Sequence, residues 1–145
     1  MLLGDGCLPH SSQNLAQFSS AIKDFEEIKK FIPYECHTIN SSNKSHRIHI
    51  DNIIEKLKSI DLHDKFSNNK FIPECYKYST IEDRLNLIRG LLDTDGTVGK
   101  QKSQIEYCTI SKQLCDDFMW ICRSVGINCN YTTKKLYTGN TAYRV

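Results

Sequence analysis

The feature that most limits how this chain can fold is an apolar run ending in Asp-Gly, and it occurs twice. One copy is LLGDG at residues 2–6, and the other is LIRGLLDTDG at residues 87–96. The C-terminal end of a helix carries a partial negative charge, so a carboxylate is electrostatically disfavoured there. Such a conflict with local preference is typical of functional sites. The repetition also predicts a duplicated structural unit.

The second half of the chain alternates clear helix and strand patterns. Residues 79–82, Ser-Thr-Ile-Glu, have the spacing of a capping box, with Ser79 as the cap. Apolar residues at helical spacing then predict a helix from about 80 to 93. The further elements expected, in order, are a strand near 97–102, a strand at 104–110, a helix at 112–125 capped by Ser111 and ended by Gly126, and strands near 127–135 and 141–145.

The first half repeats this order less sharply. Phe18 follows Asp5 by 13 residues and Tyr107 follows Asp95 by 12, while Arg47 and Arg144 follow the same aspartates by 42 and 49. The predicted elements are the tail of a helix ending at Asp5, a strand pair within 7–20, a helix at 20–32 stopped by Pro33, strands near 34–40 and 46–50, a helix at 51–60, and a polar connector at 61–79. We therefore divide the chain into a first half with its connector, 1–78, and a second half, 79–145.

Composition excludes several classes of protein. No run of eighteen apolar residues exists in the sequence, and residues 1–10 lack the pattern of a signal peptide. The seven cysteines form no C-x-x-C pair, so a structural zinc site has no spacing support. We interpret Cys115 and Cys122 as small buried residues of one helix face, with Cys108 and Cys129 in flanking strands. This cysteine usage favours a reducing, intracellular location. The net charge of +2 decides nothing about partners.

The two Asp-Gly segments, RGLLDTDG and MLLGDG, resemble the two signature motifs of LAGLIDADG homing endonucleases. The segment DKFSNNKFIPECY, with EDRLNLIRGLLDTDGTV after it, resembles the K-x-I-P block and second motif of the intein-encoded branch. YCTISKQLCDDFMWICRSVGI resembles the strand–helix segment that follows in this family. The resemblance implies an α+β fold of pseudo-twofold duplicated αββαββα units, with saddle-shaped antiparallel sheets and paired motif helices. Compared with that unit, both ends look cut: Met1 falls within the first motif helix, and Val145 precedes the closing helix.

The resemblance also implies an active site. Asp5 and Asp95 would be the catalytic carboxylates and would hold Mg²⁺ or Mn²⁺, with Lys70 of the K-x-I-P block near the scissile phosphates. Gly90 would allow the two motif helices to pack closely. Asp93 aligns with Leu3 in the first copy, so we do not expect it to be a paired catalytic group.

Contacts with double-stranded DNA would come from polar rows on the strands. The segment NCNYTTKK at residues 128–135 presents such a row. The candidates for base or phosphate contacts are Arg47, His49, Lys100, Lys102, Asn128, Asn130, Lys134 and Arg144.

The function expected is that of a monomeric, metal-dependent DNA endonuclease that cuts a long asymmetric site. It would be embedded in an intein whose splicing domain lies outside these residues, although a free-standing or intron-encoded enzyme stays open. The alternative is a maturase or regulator that keeps the fold and binds DNA or intron RNA without cutting. Retention of Asp5, Asp95 and Lys70 favours the enzyme. Calcium-loop and aspartic-protease readings of DTDG fail on ligand spacing and on the Asp95 that interrupts Asp-Thr-Gly.

Overall fold

The computed structural model describes residues 1–41, 44–99 and 104–145. The chain forms two compact units, residues 1–65 and residues 66–145. The connector from residue 66 to residue 78 therefore packs with the second unit, whereas the sequence pattern had grouped it with the first. Each unit is a mixed α+β structure built on an antiparallel sheet.

The first unit contains a three-stranded antiparallel sheet with the strand order β1-β3-β2. Its core includes the fully buried side chains of Phe18 and Ile48, which face each other across β1 and β3. Its elements in chain order are β1 (Gln17–Ala21), a 3₁₀ turn (Ile22–Asp24), α1 (Phe25–Lys29), β2 (Cys36–Ser41), β3 (Ser45–Ile50) and α2 (Ile54–Ser59).

Three predictions for the first unit need correction. Residues 2–5 form turns rather than the tail of a helix. The strand pair expected within 7–20 is reduced to β1 and two isolated bridges, Cys7 with Gln17 and His10 with Gln13. The helix expected over 20–32 is short, and α1 has no buried residue. Without an apolar face to bury, tertiary packing does not extend this helix.

The second unit contains a four-stranded antiparallel sheet with the strand order β4-β5-β7-β6. Two longer helices pack with it. Its elements in chain order are α3 (Glu74–Lys77), α4 (Ile81–Asp95), β4 (Gly96–Val98), β5 (Ile105–Thr109), α5 (Lys112–Ser124), β6 (Thr132–Lys135) and β7 (Thr141–Arg144).

Helix ends in the second unit follow the local sequence closely. Thr80, one residue after the predicted Ser79, caps α4: its Oγ1 accepts the Asp83 amide at 3.2 Å and donates to the Asp83 carboxylate at 2.7 Å. Ser111 caps α5 by accepting the Leu114 amide at 3.2 Å. Gly126, at φ +85°, follows the end of α5, where the left-handed conformation favours glycine. Both predicted helices are confirmed.

The core of the second unit is centred on Tyr107, which stacks on Phe118 with ring centroids 4.2 Å apart. Cys115 and Cys122 are buried on α5, as predicted, and both are free thiols. Burial raises the pKa of the Cys115 thiol to about 11 and that of the Cys122 thiol to about 12, so both stay protonated at neutral pH. Cys108 lies in β5 as expected. Cys129 does not lie in a strand, because β6 begins only at Thr132.

Among the described residues, no helix is long and apolar enough to cross a membrane.

Candidate active site and nucleic-acid interface

The second Asp-Gly segment makes an abrupt change from helix to strand. Asp95 is the last residue of α4, and Gly96 is the first of β4. The Gly96 amide donates to the Leu92 carbonyl. A Cβ atom added to Gly96 would lie 2.2 Å from that carbonyl oxygen, which is backbone and cannot move aside cheaply. Glycine is therefore required at this turn because the backbone passes so close to the preceding helical turn.

The first Asp-Gly segment makes the same close approach. The Gly6 amide donates to the Met1 carbonyl at 3.2 Å, and a Cβ atom on Gly6 would lie 2.4 Å from the Leu2 Cα. In both copies the glycine is pressed against the residue four positions earlier. The two segments thus share a local backbone arrangement and not only a sequence pattern.

The residues that follow each turn pair in the same register. Gly96 pairs with Tyr107 in the second unit. In the first unit Cys7 pairs with Gln17, and continuing that register places Gly6 opposite Phe18. Phe18 is 1% exposed and Tyr107 is 0% exposed, so in each unit the residue opposite the glycine is a buried aromatic.

One step further along, each unit presents an arginine. Ser19, which follows Phe18, pairs with Arg47, and Cys108, which follows Tyr107, pairs with Arg144. Both arginines are exposed. Arg47 and Arg144 therefore occupy equivalent register positions, as the spacing from the two aspartates had suggested.

The two motif carboxylates have different surroundings. Asp5 is exposed, whereas Asp95 is half-buried and its Oδ2 lies 3.4 Å from the Thr94 hydroxyl. The same hydroxyl lies 3.2 Å from the Gly90 carbonyl and 3.1 Å from the Leu91 carbonyl, so its single proton is shared among acceptors at the end of α4. Burial raises the pKa of the Tyr107 hydroxyl, and the negative charge of Asp95 adds to this effect. Asp93 is exposed at the same helix end.

These carboxylates suit a hard divalent cation only if other oxygen ligands are supplied. The described residues contain no group of three or more His, Cys, Asp or Glu side chains that could hold a metal ion. Magnesium is commonly bound by one or two carboxylates together with phosphate oxygens and water. Asp5 and Asp95 each present one carboxylate, so a Mg²⁺ ion at either residue would need further oxygen ligands, such as DNA phosphates.

Lys70 does not lie in a solvated loop, although the connector reads as polar. Its side chain is only 4% exposed, which is rare for lysine. Its backbone carbonyl accepts a 2.6 Å hydrogen bond from the hydroxyl of Ser111 at the start of α5. The K-x-I-P segment is therefore fixed against α5.

Gly90 lies within α4 and is half-buried. Inside the second unit, as far as the structure describes it, a Cβ atom on Gly90 would meet no heavy atom within 4 Å. The described contacts of this unit therefore do not require glycine here. Its role in packing against the other motif segment stays a prediction.

A polar row crosses the strands of the second sheet. Thr132 pairs with Arg144 and Lys134 pairs with Ala142, so these side chains share the face of the sheet that carries Cys108. A shallow pocket on this face is lined by Gln104, Ile105, Glu106, Asn130, Thr132, Arg144 and Val145. Asn128 and Asn130 are exposed but precede β6, contrary to the strand predicted from 127. The candidates Lys100 and Lys102 lie outside the described residues.

In the first sheet, Arg47 and His49 share one face but differ in availability. Arg47 is exposed. The side chain of His49 is only 14% exposed; its Nδ1 lies 3.1 Å from the Ala16 carbonyl and its Nε2 lies 3.4 Å from the Asp51 carboxylate. Arg47 is thus the better placed of the two for contact with a nucleic acid.

Asp117 is a buried charged residue that the sequence analysis did not single out. It is 4% exposed and lies on α5 among Leu114, Phe118 and Ile121. The available signal was its helical spacing, since position 117 falls on the apolar face of α5.

Comparison with known proteins gives one family and one fold. Residues 82–145 match the family model of the LAGLIDADG-like domain. No curated protein sequence matches the chain. Solved structures of the homing endonuclease I-DmoI match nearly the whole chain at low sequence identity. A structure of its mesophilic variants has 9% identity and a TM-score of 0.62, covering 99% of this chain and 82% of that chain. I-DmoI in complex with DNA and Mn has 9% identity and a TM-score of 0.59, covering 99% and 83%.

These matches agree with the mixed α+β structure and the antiparallel sheet of each unit. Residues 82–145 are therefore similar to the LAGLIDADG-like domain, and over nearly its whole length the chain has the fold of the homing endonuclease I-DmoI.

Proposed function

We propose that this chain is a site-specific endonuclease that hydrolyses both strands of a long, asymmetric DNA site. The observation that supports the proposal is the pair of Asp-Gly turns, in which a carboxylate directly precedes a glycine that has no room for a Cβ atom. In each unit an exposed arginine, Arg47 or Arg144, occupies the equivalent register position of the sheet. Two acidic turns and two basic strand positions suit duplex DNA, because both of its strands have to be bound and cut.

In this proposal, residues on and next to the strands bind DNA, and the Asp-Gly turns provide the catalytic carboxylates. Arg47, Arg144, Asn130 and Lys134 contact DNA phosphates or base edges, because they are exposed on the strands or next to them. Asp5 and Asp95 would each ligate a divalent cation, Mg²⁺ or Mn²⁺, together with phosphate oxygens of the substrate. A cation bound there would supply Lewis-acid stabilisation of the phosphodiester and a more acidic water.

Lys70 provides positive charge near the phosphate that is cut. A cation fixed in a water-poor setting stabilises developing negative charge better than one in bulk solvent. Lys70 is buried and its backbone is anchored, so its reach is limited to a small region. These features support a role in the transition state rather than in general DNA attraction.

The finer assignments extend the same proposal. The sequence Lys70-Phe71-Ile72-Pro73 favours the intein-encoded branch, so a splicing domain would lie elsewhere in the host polypeptide. One chain carries both Asp-Gly turns, which supports action as a monomer. DNA as substrate supports an intracellular location. Detection of a spliced host protein in cells that express the complete gene would test the intein assignment.

The experiment that tests the nuclease itself separates binding from cutting. DNA ligands are selected from a randomised duplex library and cloned into a plasmid, and cleavage is followed with Mg²⁺, with Mn²⁺ and with EDTA. We expect the parent to linearise the plasmid only with metal, and the Asp5→Asn/Asp95→Asn double variant to bind with unchanged affinity but not to cut. Asp93→Asn is the matched control, because it removes the same charge from the end of α4 at a position that is leucine in the first copy.

The second candidate function is a binding module without nuclease activity. The motif carboxylates favour it in one respect, because their surroundings differ: Asp5 is exposed, whereas Asp95 is half-buried. A parent protein that binds the selected duplex tightly but never cuts it, with either metal, would establish this alternative and remove the catalytic roles of Asp5, Asp95 and Lys70.

A further inference from the structure

The buried carboxylate of Asp117 accepts hydrogen bonds from three donors. Oδ2 accepts the Ile72 backbone amide at 2.9 Å. Oδ1 accepts the Lys77 ammonium at 3.1 Å and the Gln113 side-chain amide at 3.0 Å. Lys77 also pairs with Glu74 at 2.6 Å, and Glu74 and then Asp117 raise the pKa of Lys77. The Asp117 charge is thus both paired and hydrogen-bonded, as a buried charge must be.

The α5 side chain of Asp117 and the side chain of Ser111, which caps α5, both hydrogen-bond to the backbone of one short segment. The Ser111 hydroxyl donates to the carbonyl of Lys70 at 2.6 Å, and Asp117 accepts the amide of Ile72 two residues later. Ser111 is 0% exposed, Ile72 is 0% exposed and Asp117 is 4% exposed, so water does not compete for these bonds. The segment from Lys70 to Ile72 is therefore held at both ends by one rigid helix.

Simple stabilisation does not require a carboxylate at this position. A well-packed apolar side chain in place of a buried ion pair is often as stable or more so. An apolar side chain could not, however, hold the Ile72 amide or define the position of the segment. The cost of burying Asp117 is better explained by the need for a fixed backbone at Lys70.

We propose that Asp117 is a positioning residue for DNA cleavage. Together with Ser111, it fixes the Lys70–Ile72 backbone so that the Lys70 ammonium keeps one location relative to the end of α4. This inference rests on the proposed nuclease function and on the role assigned there to Lys70. Asp117 itself touches neither DNA nor metal.

Asp116 offers a matched control on the same helix. It is adjacent in sequence and half-exposed, and its carboxylate pairs with Lys112 one turn earlier. Asp116→Asn and Asp117→Asn remove the same charge from α5, but only Asp117→Asn weakens the hydrogen bonding that holds the Lys70–Ile72 backbone. An effect of lost negative charge alone would appear in both variants.

The first measurement is single-turnover cleavage at saturating DNA, with affinity measured separately. We expect Asp117→Asn to slow cleavage by about 10- to 100-fold, since small displacements of a catalytic group are costly, while affinity stays within about twofold. Asp116→Asn should cleave like the parent. In a Lys70→Met background, Asp117→Asn should add less than about a twofold further loss, because its effect passes through Lys70. A full further loss in that background, or parental cleavage by Asp117→Asn, would overturn the proposal.

The second measurement does not depend on nuclease activity. Acetylation of Lys70 in the free protein is followed by mass spectrometry. Faster labelling of Lys70 in Asp117→Asn than in Asp116→Asn supports the positioning role, and equal labelling overturns it. If the parent does not cut DNA, the nuclease proposal fails, and this labelling result alone decides whether Asp117 holds Lys70. If Asp117→Asn does not fold, Ser111→Ala, which releases the Lys70 carbonyl, is compared with Asp116→Asn in the same way.

Discussion

The two Asp-Gly segments reach the same turn from different preceding structures. In the second unit, a helix of 15 residues leads into the turn at Asp95 and Gly96. In the first unit, residues 2–5 form turns before Gly6. Both glycines nevertheless press against the backbone of the residue four positions earlier. What the two segments share is the glycine and its close contact with the backbone of the residue four positions earlier.

The same contrast runs through the sheets. The second unit has a full strand after its turn, β4, whereas the first has only the Cys7–Gln17 bridge. The buried aromatic that follows is a tyrosine in one unit and a phenylalanine in the other. The register that carries Arg47 and Arg144 is nevertheless common to both. What the two units share is the geometry that links a carboxylate to an arginine.

The largest effect on stability is expected from filling the glycine contacts. Gly96→Ala should lower the free energy of unfolding by about 3 kcal/mol, because its Cβ overlaps the Leu92 carbonyl. Gly6→Ala should strain its own turn against Leu2 in the same way. Urea unfolding of both variants checks this. If Gly96→Ala is as stable as the parent, the shared turn is not enforced by the glycine.

The next effect concerns the equivalent arginines. Arg47→Ala and Arg144→Ala should each weaken binding to the selected duplex by about 1–3 kcal/mol, because both present an exposed guanidinium at the same register position. Fluorescence anisotropy at several salt concentrations provides the measurement. A loss confined to one of the two variants would show that the units do not bind DNA equivalently.

A smaller effect, of opposite sign, is expected at Gly90. Gly90→Ala should stabilise the second unit by roughly 1 kcal/mol, since alanine favours the helix and a Cβ atom there meets no described heavy atom of that unit. Thermal unfolding, compared with Gly96→Ala, tests it. Destabilisation instead would support the predicted role of Gly90 in close helix packing.

The smallest effect is a difference in alkaline sensitivity between the units. Burial raises the pKa of Cys115 and Cys122 from 9.0 to about 11 and about 12. Between pH 9 and these values the unfolded chain has lost thiol protons that the folded chain keeps, so stability falls as pH rises. Hydrogen exchange should show earlier loss of protection in α5 than in β1 or β3. A Cys115→Ala/Cys122→Ala variant with unchanged pH dependence would contradict this account.

The sequence predicted features that depend on near neighbours. The caps and periods of α4 and α5 are local, and both helices formed as predicted. The sequence did not predict the burial of Lys70 or the hydrogen bonds of Asp117. These depend on contacts between distant parts of the chain, such as the Asp117–Ile72 hydrogen bond, which joins residues 45 positions apart. The sequence also did not predict how short α1 is. This helix buries no residue, so tertiary packing does not extend it.

Strand-resolved cleavage kinetics of the single variants show whether the two Asp-Gly turns act equivalently. The selected duplex is labelled separately on its two strands and incubated with Mg²⁺ and either Asp5→Asn, Asp95→Asn or the control Asp93→Asn. We expect each motif variant to lose double-strand cleavage by orders of magnitude and to slow mainly the strand served by its own turn. The control should cut both strands like the parent. Parental cutting of both strands by Asp95→Asn or by Asp5→Asn would contradict the functional equivalence of the two turns.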